Sequence, residues 1–462
     1  MHDLRLKVLR ESGKTTSRKA RSRPESTRAS TRNSPMGSPA PSQRNSPSHS
    51  RAGSRYASEN ESSDDEFEDS MTMSTLSNGS EAVFDESNES TWQSLLQDRI
   101  VELQDRKRSS VQSREAAMAS YLNLIKLHFA DRQVGGSATD IITALVRSVR
   151  SGGSALERSL ALRAIQATLL TSPSDSAYDD VYQQLQTTCE DDEEASVKSQ
   201  AILAMAIMTL YGGGSEQSAE ELLDFMVGVI ESDGESIGAG DNGEVVSAAL
   251  QAWSFVASQI DDLSDQVHEA MDAFVEQLDS SDVDVQTGAG FNIAFIFEAA
   301  RDHEEETGEV FNLQYDPKKL ISRMAEASKP AAKHTSRKDR RHLRKHFASI
   351  VTSLEHGKGP GYSTSGRPAS NPHTGGSKVE HDKELDEFGY REKLRVGDHV
   401  VVIDSWSLMA RIDVVRSVMG SGFPVHFNDN PTVSELLNDP DTEDLPSYGV
   451  SSEPKRSKKI RR

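Results

Sequence analysis

Three groups of residues in this sequence have the types and spacing that could do chemistry. The first is a lone cysteine, Cys189, followed by EDDEE. A thiol attacks as its thiolate, and neighbouring acids raise its pKa, the wrong direction for a nucleophile. With one cysteine there is neither an internal disulfide nor a second thiol to share a metal, which fits a reducing compartment, cytosol or nucleus. The second is the pair His342 and His346, at i and i+4, which lies among cations that oppose a metal ion. The third is SRKDRRHLRK, residues 336–345, with six cations and one acid. No GxxxxGK[ST], HExxH or strand-associated GxGxxG is present, and paired acids such as Asp261 and Asp262 read as the surface of a helix start. The sequence therefore predicts a protein that is not an enzyme, with no catalytic, cofactor or metal residues, no cofactor and no small-molecule substrate.

The cationic run must be carried by a helix. Ser336 with Asp339 three residues on fits an N-cap with an acid near the positive end of the dipole. Leu343, Phe347, Ile350, Val351 and Leu354 share one stripe at ~100° per residue. Arg337, Lys338, Arg341, Arg344 and Lys345 fall opposite, Arg340 beside the stripe, and Gly357 is placed to end the helix. The C-terminal half is expected to dock on protein, with Phe347 as an anchor, while the N-terminal half projects charge. Such a face suits phosphates, with strong salt dependence. It lacks base-reading side chains and interleaved aromatics, which points to structured RNA read by shape and backbone. Two other readings stay open: the cations meet the acidic 199–300 solenoid of the same chain or a protein partner, or they form a nuclear import signal.

Charge is sorted along the chain. The 462 residues carry a formal net charge of -21, yet residues 1–56 hold thirteen Lys/Arg against three acids. Residues 57–90 hold eleven acids and no Lys or Arg, and Ser199–Ala300 holds nineteen acids and again none. The segment 455–462, KRSKKIRR, returns six cations in eight residues. This predicts separate attachment points for polyanions and for basic partners. No apolar run reaches the ~18 residues that span a bilayer, and MHDLRLKVLRESGK has no apolar core of a secretory signal. The expectation is a cytoplasmic protein with a nuclear pool as the second location, and no membrane partner.

The body that must position these charges repeats itself. LERSLALRAIQATLL, VKSQAILAMAIMTL, VVSAALQAWSFVA and VDVQTGAGFNIAFIF align on Ala161, Ala201, Ala249 and Ala289, at spacings of 40, 48 and 40. Three of them carry a second alanine three residues on (Ala164, Ala204, Ala252), and the fourth has Asn292. Small residues at i and i+3 let helix axes approach. Further helical stretches at 178–188, 218–231 and 262–279 give a pair per period of about 40 residues, the signature of a HEAT/armadillo-like solenoid. An irregular helical bundle is the competing arrangement. No part of 92–330 alternates long enough for a sheet.

The flanks differ. Hydrophobic residues make up only 35% of the chain and mean hydropathy is -0.59, so much of it is expected to stay unfolded. Residues 1–90 read as a disordered tail, with phosphorylation candidates Ser34, Ser38 and Ser46 before prolines and Ser62 and Ser63 before DDEFED. A helical-repeat domain spans 91–357 and ends in the basic helix, 336–356. Residues 358–390 read as a low-complexity insert, 391–440 as a small C-terminal module, and 441–462 as a disordered basic tail. In the module, Val400–Ile403 is a buried-strand pattern and Asp404 or Ser405 can cap a helix starting near Trp406, itself read as a core anchor. Leu408, Ile412, Val415 and Met419 lie on one face of that helix, with Gly420 at its C′ position.

The order of motifs is specific. A helical-repeat body, S-R-K-D-R-R-x-x-R-x-x-F from Ser336 to Phe347, I-D-S-W from Ile403 to Trp406, V-M-G-S-G-F-x-V-H-F from Val418 to Phe427, then Asn430-Pro431, resembles the interferon-related developmental regulator family over about 92–437. The resemblance implies a non-enzymatic regulator. It implies either a ribosome-binding translational repressor, with ribosomal RNA as partner, or a nuclear transcriptional co-repressor adaptor binding basic partners or co-repressor complexes through the acidic solenoid. The positions matching the basic motif are Arg337, Lys338, Arg340, Arg341, Arg344 and Phe347. The 358–385 insert and the long Ser-rich N-terminus depart from familiar members.

Overall fold

The computed structural model describes residues 89–107, 109–311, 313–327, 337–362, 392–397, 399–437 and 442–444, all within one compact unit spanning 69–462. The tail expected at 1–90 (but for its last two residues), its five serine sites, most of the insert and KRSKKIRR lie outside the described residues.

Twelve helices form six consecutive pairs: α1 (Glu89–Gln104) and α2 (Val111–Leu127), α3 (Ala138–Ser151) and α4 (Ala155–Thr171), α5 (Ala177–Asp191) and α6 (Ala195–Tyr211), α7 (Glu216–Glu231) and α8 (Gly243–Ala257), α9 (Val267–Gln277) and α10 (Val283–Thr307), α11 (Pro317–Ala327) and α12 (Arg337–His356). Each even-numbered helix packs on the next, α2 on α4 and so on to α12, while the odd-numbered helices back them. This is the all-α helical-repeat solenoid expected from the sequence, and no strand occurs among the described residues before 392.

Local chemistry explains the helix starts. Ser110, Ser154, Asn242 and Asp282 cap α2, α4, α8 and α10, each accepting from backbone N–H groups of the first turn. Ala161, Ala201, Ala249 and Ala289 are all fully buried, as are Ala164, Ala204 and Ala252. Asn292, the exception in the pattern, is buried too and donates from Nδ2 to the Leu250 carbonyl of α8 at 3.0 Å. The odd helices from α3 onward are amphipathic, whereas α6 and α8 are apolar nearly all round, so they require cover on both sides.

The C-terminal segment supplies that cover for α8. After a hairpin of β1 (Glu392–Val396) and β2 (His399–Ile403), the chain forms α13 (Trp406–Met419), α14 (Phe423–Asp429) and α15 (Pro431–Leu437), and β3 (Thr442–Asp444) adds antiparallel to β2. α13 packs on α8, α10 and α4, α14 on α2, and α15 on α4. Ser405, rather than Asp404, caps α13 by accepting from the Leu408 N–H at 3.1 Å. Leu408, Ile412, Val415 and Met419 are all buried. Residues 358–362, placed by the sequence in a low-complexity insert, pack instead: Tyr362 is buried, the Gly361 N–H donates to Ser349 Oγ, and the Glu392 N–H donates to the Pro360 carbonyl.

Candidate nucleic-acid interface

α12 is held by its apolar stripe. Leu343, Phe347 and Ile350 are buried, and Val351 and Leu354 half-buried. Phe347 and Ile350 seat on Gly290 of α10, where a Cβ would come within 2.9 Å of Phe347 Cε1 and 3.0 Å of Ile350 Cδ1. Any larger residue would force Phe347 or Ile350 to shift. The helix ends where Gly357 adopts φ +65° and its N–H donates to the Ser353 carbonyl at 2.8 Å.

The same helix locks the C-terminal segment. Trp406 Nε1–H donates to Ser353 Oγ at 2.9 Å, and the indole meets Phe291 edge-on at 5.2 Å between centroids. At 2% exposure it is a core anchor and offers no stacking face. Glu298 of α10 accepts from the Trp406 and Ser407 N–H groups, each at 3.0 Å, completing the N-terminal cap of α13. Burial pushes the Glu298 carboxyl up to about 7; these two hydrogen bonds oppose that, and Asp302 adds to it. At the far end, His426 Nε2 hydrogen-bonds the Ile125 carbonyl and its Nδ1 accepts from Asn430 Nδ2. Asn430 Nδ2 also reaches the Leu170 carbonyl at 2.8 Å. Both carbonyls are in the last turns of α2 and α4, where helices leave carbonyls without partners. Burial holds the His426 pKa below its ordinary value, consistent with a neutral ring in this arrangement. Gly422 lies so close to α2 that a Cβ would fall 1.9 Å from the Lys126 carbonyl oxygen. Glu298, Gly422, His426 and Asn430 were not singled out by sequence reasoning for these roles. For Gly422, His426 and Asn430 the trace in the sequence is the G-x-x-x-H-x-x-x-N spacing, which the packing explains; Glu298 leaves none.

The cations stand on the other side of α12. Arg341, Arg344 and Lys345 are exposed; Arg337, Lys338 and Arg340 belong to the helix, but their side chains, like Ser336, lie outside the described residues. Lys345 Nζ is 3.8 Å from Glu392 of β1 with the lysine side chain 63% exposed, a solvent-screened pair worth little. The His342 and His346 rings meet at 4.2 Å between centroids. Among the described residues no group of three or more His, Cys, Asp or Glu could hold a metal ion, and no helix is long and apolar enough to cross a membrane.

The acidic stretch 199–300 has a different character. Sixteen of its nineteen acids are exposed, so a polyanion is repelled by this part of the array. Two charges buried ahead of this stretch are structural. Lys198 Nζ donates to the carbonyls of Cys189, Glu190 and Ile237 at 2.7–2.9 Å, and Glu157 is gripped by Arg114 and Arg106. Burial works against the Glu157 charge, but these arginines and the Gly153 N–H hold its carboxyl below the usual range. Cys189 is fully buried and its thiol is pushed up to about 12. The direction is as the sequence suggested, but the cause is chiefly burial, with Glu190 a lesser contributor and Lys198 opposing.

The sequence profile of the interferon-related developmental regulator family matches residues 55–355, ending in the last turn of α12. The chain belongs to that family. A 197-residue segment is 26% identical to interferon-related developmental regulator 2 of Mus musculus, covering 42% of this chain and 36% of the mouse protein. An uncharacterised protein of Schizosaccharomyces pombe is 23% identical over 351 residues, covering 73% of this chain and 72% of its own. The family name describes regulators, and the chain is a regulatory protein in that general sense. In this interferon-related regulator, the profile covers the basic helix, and the segment that closes the even-helix layer lies beyond it.

Proposed function

We propose that this protein is a non-enzymatic regulatory binding protein that docks on ribosomal RNA through the cationic half of α12 and represses translation. The observation that carries this reading is the placement of exposed Arg341, Arg344 and Lys345 on a helix fixed by Phe347, beside repeats whose exposed acids repel RNA elsewhere. At a Debye length of about 8 Å the acidic body is screened beyond the contact, while cations touching phosphates are not. Orientation then comes from repulsion as much as from attraction. The test replaces Arg337, Lys338, Arg341, Arg344 and Lys345 by Glu and follows co-sedimentation with ribosomal particles at about 150 mM salt. Loss of association with unchanged circular dichroism is expected. Retained association of the folded variant refutes the reading.

A second reading is supported by the sixteen exposed acids of 199–300: a nuclear co-repressor adaptor that holds basic protein partners on the repeats. Cell fractionation separates the two. Exclusively nuclear, ribosome-free protein favours the adaptor, and cytoplasmic protein on ribosomes favours the repressor.

A further inference from the structure

α11 packs against α12, with its Leu320 and Met324 buried. On its outer side Lys318 and Lys319 are exposed, and with Ser322, Arg323 and Glu326 they line a shallow cleft open to solvent. These lysines do nothing evident for the fold. They sit in the first turn of their helix, where the dipole disfavours positive charge. The acid that this end calls for is already present: Asp316 Oδ1 accepts from the Lys318 N–H at 3.0 Å. Arg323, one turn on, is engaged in an exposed 2.6 Å ion pair with Asp279. Two exposed cations that oppose their own helix, next to the basic helix, are explained by an external anion.

We propose that Lys318 and Lys319 form a second phosphate-binding point for the same structured RNA, so that the footprint spans two packed helices. The inference rests on the RNA reading of α12. A single row of cations leaves a duplex free to swivel about it, whereas cations on two helices fix its register without reading bases.

The test uses the full chain and purified ribosomes over a salt series, comparing wild type, K318A/K319A and R341E/R344E. In K318A/K319A the slope of log affinity against log salt becomes shallower by about 2, one for each phosphate that is no longer neutralised. Its thermal midpoint stays level or rises, because the removed charges opposed the dipole. An unchanged slope and affinity overturn the proposal. If R341E/R344E loses binding while K318A/K319A keeps the wild-type slope and affinity, the footprint is confined to α12 and only this inference falls. If R341E/R344E binds like wild type, the RNA reading of α12 falls and this inference with it.

Discussion

α8 and α12 belong to the same layer of the array, yet their surfaces have little in common. α8 has α6 and α10 beside it, α7 behind and α13 in front, and eleven of its fifteen residues are buried. α12 has α10 on one side and α11 behind; its buried stripe is Leu343, Phe347 and Ile350, and its first two turns are crowded with charge. Position in a repeat array thus sets composition. An interior helix covered on every side is nearly all apolar, and the last one is released to carry charge on its uncovered face.

The comparison is broken most severely at its anchors. Trp406→Ala and Phe347→Ala should each cost about 3–5 kcal/mol, measured as a fall in urea midpoint, because each ring is buried and its cavity cannot collapse around fixed helices. The first also strands Ser353 and should raise hydrogen exchange in α13 before it does so in α12. Exchange rising equally in both would mean that the two helices open as one unit.

Next is the acid that joins the regions. The Glu298 carboxyl is raised from 4.5 to about 7 in the fold, so the folded state retains a proton that the unfolded state has lost. Stability should therefore fall as pH rises from about 4.5 through 7, by on the order of 3 kcal/mol from this group. His426, held below its ordinary value, acts oppositely: its contribution is lost as pH falls below about 6.5. Glu298→Gln should flatten the decline between pH 5 and 8, read from thermal midpoints in matched buffers. A decline as steep as wild type assigns it elsewhere.

Smaller effects sharpen the contrast. Asn292→Ala restores the alanine of the other three repeats but removes the bond to the Leu250 carbonyl, and should cost about 1 kcal/mol. Arg344→Glu, three residues from Phe347, should change stability by less than about 0.5 kcal/mol while weakening ribosome association. A large destabilisation there would show that the charged face is part of the fold.

Much of the solenoid was legible because its signals are local and periodic: alanines at intervals of 40 and 48, and a two-sided helix at 336–356. The stripe Leu343–Phe347–Ile350 could be read from spacing alone. The role of Glu298 could not. It follows the apolar run FNIAFIF of α10, and its partners are 108 and 109 residues away, so no window of sequence contains both. The same holds for Gly422, whose need to be glycine arises from the backbone of α2. Lys318 and Lys319 carry no signal in the sequence, because two lysines at a helix start are ordinary until that helix is seen beside α12. On the interface itself, sequence identified the charged run, and packing added Glu392 as a partial offset to Lys345.

The bond from His426 to the Ile125 carbonyl joins residues 301 positions apart. At about 5–20 residues per second, roughly 15–60 s of synthesis separate the two partners. In the later part of that interval, from the synthesis of residue 257 until α13 and α15 emerge, α4 and α8 are complete but uncovered on the side that those helices will occupy. The nascent chain therefore presents a long apolar strip to the cell until its last helices arrive. A chain interrupted before residue 406 keeps that strip open for as long as it survives. Holdase chaperones and quality-control proteases would thus distinguish an unfinished copy from a finished one by this strip, even though the repeats in both are already helical.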